Sequence, residues 1–213
     1  MKSESSGWTK KRLAVELSRL KGFEKVDVRL EQYATPSEIA ADWLWQAALK
    51  PDLAGKVSLD AACGPGILGC GALLMRAELV YFVDRDENAL DLARKNVDTL
   101  EQAYEIGKSE FICADIADFT TNVDVVLQNP PFGTKIRHHD RRFLEQAFTV
   151  GKMVYSMHKI STAAFVEAVA REHTFTITDR WAYDFRIPQQ LPWHRRKAYY
   201  VKVGLWRMVR AED

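Results

Sequence analysis

Apolar and polar positions along this chain follow a helical period at first and then, from residue 57 onward, switch repeatedly between strand-like and helical spacing. Leu13, Leu17 and Leu20 recur at helical intervals among Lys10, Arg12, Arg19 and Lys21, which predicts a basic-faced helix ending at Gly22. Thr35, Pro36 and Glu38 predict the start of a second helix: Thr35 caps it, Pro36 takes the first helical position and Glu38 reaches back to close a capping box. Its apolar face is Ile39, Ala40, Trp43 and Ala47. Beyond it, strands are predicted over 57–61, 79–83, 111–114, 123–128 and 153–157, alternating with helices over 67–76, 87–100, 142–150 and 161–171. Two last strands are expected around 175–178 and 199–205. Their connection, 181–197, holds Pro188, Pro192, Trp193 and a run of charges and reads as a loop.

Alternation of this kind needs crossover connections, and right-handed crossovers lay the strands in a doubly wound parallel sheet with helices on both faces. The final pair adds a hairpin. The expected fold is therefore α/β, with a seven-stranded, mostly parallel sheet whose last strand is antiparallel. A chain of 213 residues holds one sizeable core. A single domain over 51–213 is expected, with a short helical N-terminal extension over 1–50 packed on it.

Composition changes this picture little. The formal net charge is +1, so affinity for a polyanion has to come from local clusters of Lys and Arg. Cys63, Cys70 and Cys113 lie in apolar segments without the spacing of a zinc pair, which suits reduced thiols of a cytoplasmic or nuclear protein with no metal site of its own. No signal-peptide pattern and no apolar run of the ~20 residues a membrane span needs is present, so no membrane association is expected.

The candidate chemistry begins where the first strand meets the first crossover helix, at Asp60-Ala61-Ala62-Cys63-Gly64-Pro65-Gly66-Ile67-Leu68-Gly69. Gly64 and Gly66 permit a sharp turn and a close approach of backbone to ligand. The run also satisfies a dinucleotide fingerprint, with Asp84 ~20 residues further on, so a nicotinamide dehydrogenase competes with a methyltransferase. A carboxylate at Asp60 is badly placed beside a pyrophosphate, yet it favours the cationic amino group and sulfonium of S-adenosylmethionine. Asp84, ending the second strand, can accept from both ribose hydroxyls in either case. Asp115 ends the third strand, where it can take the exocyclic amine of the cofactor adenine while Ile116 packs on the ring; a loop acid capping the next turn is the plainer alternative for it.

The fourth strand runs directly into Asn129-Pro130-Pro131-Phe132. An exocyclic amine delocalises its lone pair and is a poor nucleophile, so it has to be held by acceptors with that lone pair aimed at a methyl group. The Asn129 side-chain oxygen and the Pro130 carbonyl supply acceptors, and the prolines stiffen the backbone and remove competing donors. Phe132 would stack on a flipped base, a contact worth roughly 1–3 kcal/mol.

Three acids at the ends of three consecutive strands resemble the class I methyltransferase pattern across 56–116. Ala62 departs from it where a glycine is more usual, so the turn there is expected at negative φ. Asn129-Pro130-Pro131-Phe132-Gly133-Thr134-Lys135, Leu30-Glu31-Gln32-Tyr33-Ala34-Thr35, Val154-Tyr155-Ser156-Met157-His158-Lys159, and the stretch from Tyr183-Asp184 to Arg195-Arg196-Lys197 together resemble the methyltransferase-like-five group of adenine-N6 methyltransferases acting on small-subunit ribosomal RNA. The resemblance implies a class I Rossmann-like methyltransferase domain and S-adenosylmethionine as cofactor. It adds Gln32, Tyr33 and Thr35, closing over the methionine part, to Asp60, Cys63, Gly64, Gly66, Asp84, Asp115, Ile116 and Asn129. It further implies a small zinc-ribbon activator subunit pairing with an exposed sheet edge near Phe111.

Basic residues after the tetrapeptide, Lys135, Arg137, Arg141 and Arg142, and in the late loop, His194, Arg195, Arg196 and Lys197, are expected to converge on this site and contact RNA phosphates. The same tetrapeptide chemistry suits guanine N2 or a glutamine amide, and a non-catalytic RNA-binding subunit is the rival from another class.

Overall fold

The structure, a computed structural model, describes residues 7–23, 35–130, 139–188 and 198–211. Helix α1 (Lys10–Ser18) is capped by Thr9, whose hydroxyl accepts from the Arg12 N–H at 3.1 Å, and it buries Leu13 and Leu17 against α2 (Ser37–Leu49). It stops short of the predicted Gly22 because Lys21 bonds elsewhere: its N–H and carbonyl both meet the Asn96 side chain, at 2.8 and 2.9 Å. Helix α2 buries Ile39, Ala40, Trp43 and Ala47 as its period requires, but Pro36 occupies the cap and no side chain bonds there. Thr35 is engaged with the site instead, so the expected capping box does not form.

From β1 (Val57–Ala61) the predicted alternation holds: α3 (Ile67–Leu74), β2 (Leu79–Asp84), α4 (Glu87–Ala103), β3 (Lys108–Cys113), β4 (Val123–Gln128), α5 (His139–Val150), β5 (Gly151–Lys159) and α6 (Ala163–Glu172). Strands β6 (Phe175–Pro188) and β7 (Ala198–Arg210) close the chain, and the sheet order is β3-β2-β1-β4-β5-β7-β6. All pairings from β3 to β5 are parallel, and β7 runs antiparallel to both neighbours.

Strand β6 corrects one expectation. Residues 181–188 belong to it rather than to a loop, because Trp181, Tyr183 and Phe185 face inward while Ala182 and Asp184 face water, and β7 supplies a partner for each. Pro188 is tolerated at the end of an edge strand, where no ladder bond is lost. The remainder of the expected loop, 189–197, lies outside the described residues.

Two apolar layers sandwich the sheet. Helices α1 to α4 cover one face, and α5 and α6 cover the other, which includes Val126, Val154, Trp206 and Met208. Away from the site, Asp52 ties α2 to the sheet: it accepts from the Tyr155 hydroxyl at 2.6 Å and from Arg207 Nε at 2.8 Å. Since β1 leads to β2 on one side and neighbours β4 on the other, strand order reverses between β1 and β4, and a crevice opens beyond their carboxyl ends.

Candidate active site

The crevice is shaped by a turn of left-handed backbone. Ala62 has φ of 53°, Gly64 of 54° and Gly66 of 80°. Ala62 thus reverses the expectation of a negative φ, at about 1–2 kcal/mol of local strain. The surroundings enforce it: the Cys63 N–H bonds the Val83 carbonyl at 3.0 Å and the Gly64 N–H bonds Asp84 Oδ2 at 2.8 Å. At Gly66 a Cβ would lie 3.0 Å from both Phe82 and Ala93, so the glycine serves both the turn and the approach of α3 to the sheet.

Three strand-end acids meet at this turn. Asp60 is buried, and its Oδ2 accepts from the Gly69 N–H of α3 at 2.7 Å. Burial pushes its carboxyl up to about 8, the Gly69 bond opposing this and the nearby Asp84 adding to it. Unfolded, an aspartate titrates at ~3.9. The folded chain therefore holds a proton that the unfolded chain has lost, and Asp60 makes stability fall as pH rises from about 4 to about 8. Asp60→Asn, which keeps an acceptor for Gly69, is expected to flatten that decline by a few kcal/mol in urea titrations run between about pH 5 and about pH 8. An unchanged pH dependence would contradict this account.

Asp84 accepts from the N–H groups of Gly64 and, at 3.0 Å, Asp86. Burial raises its carboxyl, and those backbone bonds hold it down. Asp115 caps the turn at Ile116–Asp118 through the Ala117 N–H at 3.0 Å, the plainer of its two expected roles, yet it also stands on the cavity wall and pairs with Arg142 at 3.4 Å. Ile116 is buried beside it. Cys63 is buried as well, with its thiol pushed up by desolvation and by Asp60 and Asp84, so it lines the site as an inert group.

Asn129 and Pro130 follow β4 on the same wall. The Asn129 amide donates to Thr35 Oγ1 at 3.0 Å, while its Oδ1 is buried and has no partner among the described residues. Gln32, Tyr33, Pro131, Phe132, Lys135, Arg137, His194, Arg195, Arg196 and Lys197 lie outside the described residues. Of the expected RNA contacts, Arg142 is at the cavity rim, whereas Arg141 is occupied by ion pairs with Glu145 and Glu172.

Sequence reasoning missed the opposite wall. Leu17, Leu20 and the segment from Lys21 to Phe23 line the cavity, and the Phe23 ring packs over Gly64. Asn96 fastens this wall: beyond its two bonds to Lys21, its Nδ2 donates to the Pro65 carbonyl at 2.9 Å. The signal was legible, for Asn96 is a polar residue within the buried stripe Ala89, Leu90, Ala93, Val97 and Leu100 of α4.

The cavity these walls enclose measures about 350 Å³, within the ~300–1,000 Å³ usual for small-molecule sites. An acid by the glycine turn, another ending the second strand, a third with an apolar neighbour ending β3, and, on the wall residue Asn129, a buried amide oxygen without a partner among the described residues fit a cationic nucleoside. They do not fit a pyrophosphate, which would meet the Asp84 carboxylate at the turn. A model of the methyltransferase small domain matches residues 39–154. The chain is 31% identical to the rRNA N(6)-adenosine-methyltransferase METTL5 of Danio rerio over 90% of this chain and 94% of that one. It is 32% identical to the corresponding Drosophila melanogaster enzyme, covering 92% and 94%. A crystal structure of a candidate RNA methyltransferase from Pyrococcus horikoshii superimposes with a TM-score of 0.85 at 36% identity, over 96% of this chain and 97% of that one.

Proposed function

Given that the chain belongs to the METTL5-like branch of the methyltransferase small-domain family, we propose that it uses S-adenosylmethionine to methylate N6 of an adenosine in small-subunit ribosomal RNA. The observation that carries this reading is the buried Oδ1 of Asn129, beside Pro130, which has no partner among the described residues. A buried acceptor without a donor costs about 1–3 kcal/mol, and a planar amine entering the cavity recovers that loss. Bound against Asp60 and Asp84, the cofactor supplies an electrophilic methyl group. Asn129 Oδ1 and the Pro130 carbonyl orient the amine hydrogens, Thr35 fixes the amide that offers Oδ1, and the walls from Leu17 to Phe23 and at Phe143 exclude water. Acceleration comes from holding nucleophile and electrophile in line rather than from a strong base. Small ribosomal subunits lacking the modification, incubated with methyl-labelled cofactor, are expected to gain N6-methyladenosine at one position; label in guanine or in protein would overturn the reading.

RNA contact is assigned to Lys135, Arg137, His194, Arg195, Arg196 and Lys197, with Arg142 at the cavity rim. Replacing Arg195, Arg196 and Lys197 together with Ala is expected to weaken RNA binding and reduce the slope of log K against log salt by about 2–3 units, roughly one for each phosphate no longer neutralised. An unchanged slope would remove these residues from the interface. The zinc-ribbon activator is assigned to β3, which ends the sheet and, among the described residues, offers an unpaired strand edge; its Phe111 stacks on Phe82 of the neighbouring β2 at 4.9 Å.

A further inference from the structure

A buried polar chain runs behind the candidate catalytic corner, on the face covered by α5. Gln128 Nε2 donates to Ser156 Oγ at 2.9 Å, and Ser156 Oγ meets His158 Nε2 at 2.6 Å. His158 Nδ1 in turn faces Asp140 Oδ2 at 3.8 Å. The serine hydroxyl, one donor with two acceptor lone pairs, can serve both neighbours at once, and the second ring nitrogen of His158 is left turned toward the Asp140 carboxylate. Gln128, Ser156 and His158 are at most 1% exposed, amid Val126, Val154 and Trp206. Two acceptors of the chain, Gln128 Oε1 and Asp140 Oδ1, are buried without a partner among the described residues. Apolar residues of the same shape would avoid those losses, so stability does not explain the chain.

Its position does. Gln128 directly precedes Asn129, and Asp140 stands in the first turn of α5, just before the cavity residues Arg142 and Phe143. We propose that Gln128, Ser156, His158 and Asp140 are positioning residues that lock the start of α5 to the end of β4, so that Asn129 keeps its amide oxygen in line with the reacting amine. The inference rests on the catalytic reading of Asn129. Productive geometry tolerates displacements of only about 0.5 Å, and a link through Ser156 to both walls supplies that precision.

Ser156→Ala, His158→Phe and the double variant separate positioning from simple packing. Each single change is expected to lower kcat on ribosomal RNA about 10-fold or more at saturating cofactor, while the Kd for S-adenosylhomocysteine stays within about 2-fold. The double variant is expected to be no slower than the slower single, since one break already severs the chain. Should His158→Phe fail to fold, Asp140→Asn, which keeps shape, takes its place in the cycle. Tyr155→Phe removes a buried hydroxyl on the other face of the sheet and controls for destabilisation alone. The proposal is overturned if kcat in the singles follows only their folded fraction, if the two losses multiply, or if Kd rises in step with kcat falling. Asn129→Ala, assayed in parallel, keeps the two readings apart: full activity there removes the catalytic reading, whereas an inactive Asn129→Ala beside a wild-type Ser156→Ala removes only the positioning chain.

Discussion

Asn129→Ala is expected to lower the single-turnover rate of methyl transfer by roughly 10²–10³-fold, the range seen when one preorganised polar group is removed from a reacting centre. The reason lies in how the side chain is held. Its nitrogen is fixed by Thr35 at 3.0 Å, and the oxygen left over is buried with nothing to accept from among the described residues. Alanine deletes that acceptor and leaves the substrate amine free to turn, while Asp60, Asp84 and Asp115, the acids assigned to the cofactor, are untouched. The Kd for S-adenosylhomocysteine should therefore move by no more than about 3-fold, and the loss should be confined to the transfer step. Rapid-quench measurement at saturating RNA checks this; a full transfer rate would mean that no acceptor is needed at this corner.

Asp84→Ala is expected to raise the Kd for S-adenosylhomocysteine about 10²-fold or more, through two separate losses. A carboxylate accepting from a pair of ribose hydroxyls makes charge-assisted bonds worth about 1.5–3 kcal/mol each. The same carboxylate also receives the Gly64 and Asp86 N–H groups, so its removal frees a turn already strained at Ala62, Gly64 and Gly66. Calorimetric titration should show weaker binding, and Asp84→Asn, which keeps one acceptor oxygen, should recover part of it. If alanine bound the cofactor as tightly as aspartate does, the ribose role and the brace on the turn would both be wrong.

Some features that the sequence expectations missed are nonetheless visible in the residues. Asn96 interrupts the apolar stripe of α4, and the alternation of Trp181, Tyr183 and Phe185 is strand-like despite the prolines that follow. Thr35 is different. By its neighbours it is a good cap, and no local pattern reveals that its hydroxyl is spent on an amide 94 residues away. Similarly, Ser156 and His158 read only as residues of a family motif at the fifth strand, and only the register Gln128↔Ser156 turns them into a chain behind the candidate catalytic corner.

By itself the sequence determined the α/β alternation, the parallel sheet, the glycine turn with its strand-end acids and the asparagine–proline corner, because each depends on groups within a few residues of one another: periodicity, turn preference and the place where a strand stops. Only the tertiary structure decided which hydroxyl holds Asn129, which helix walls the cavity, how far β6 extends and what stands behind β4. Those depend on partners brought together by burying two apolar layers against the sheet, and a hydrogen bond across 75 or 94 residues exists only once that burial has brought its ends within reach.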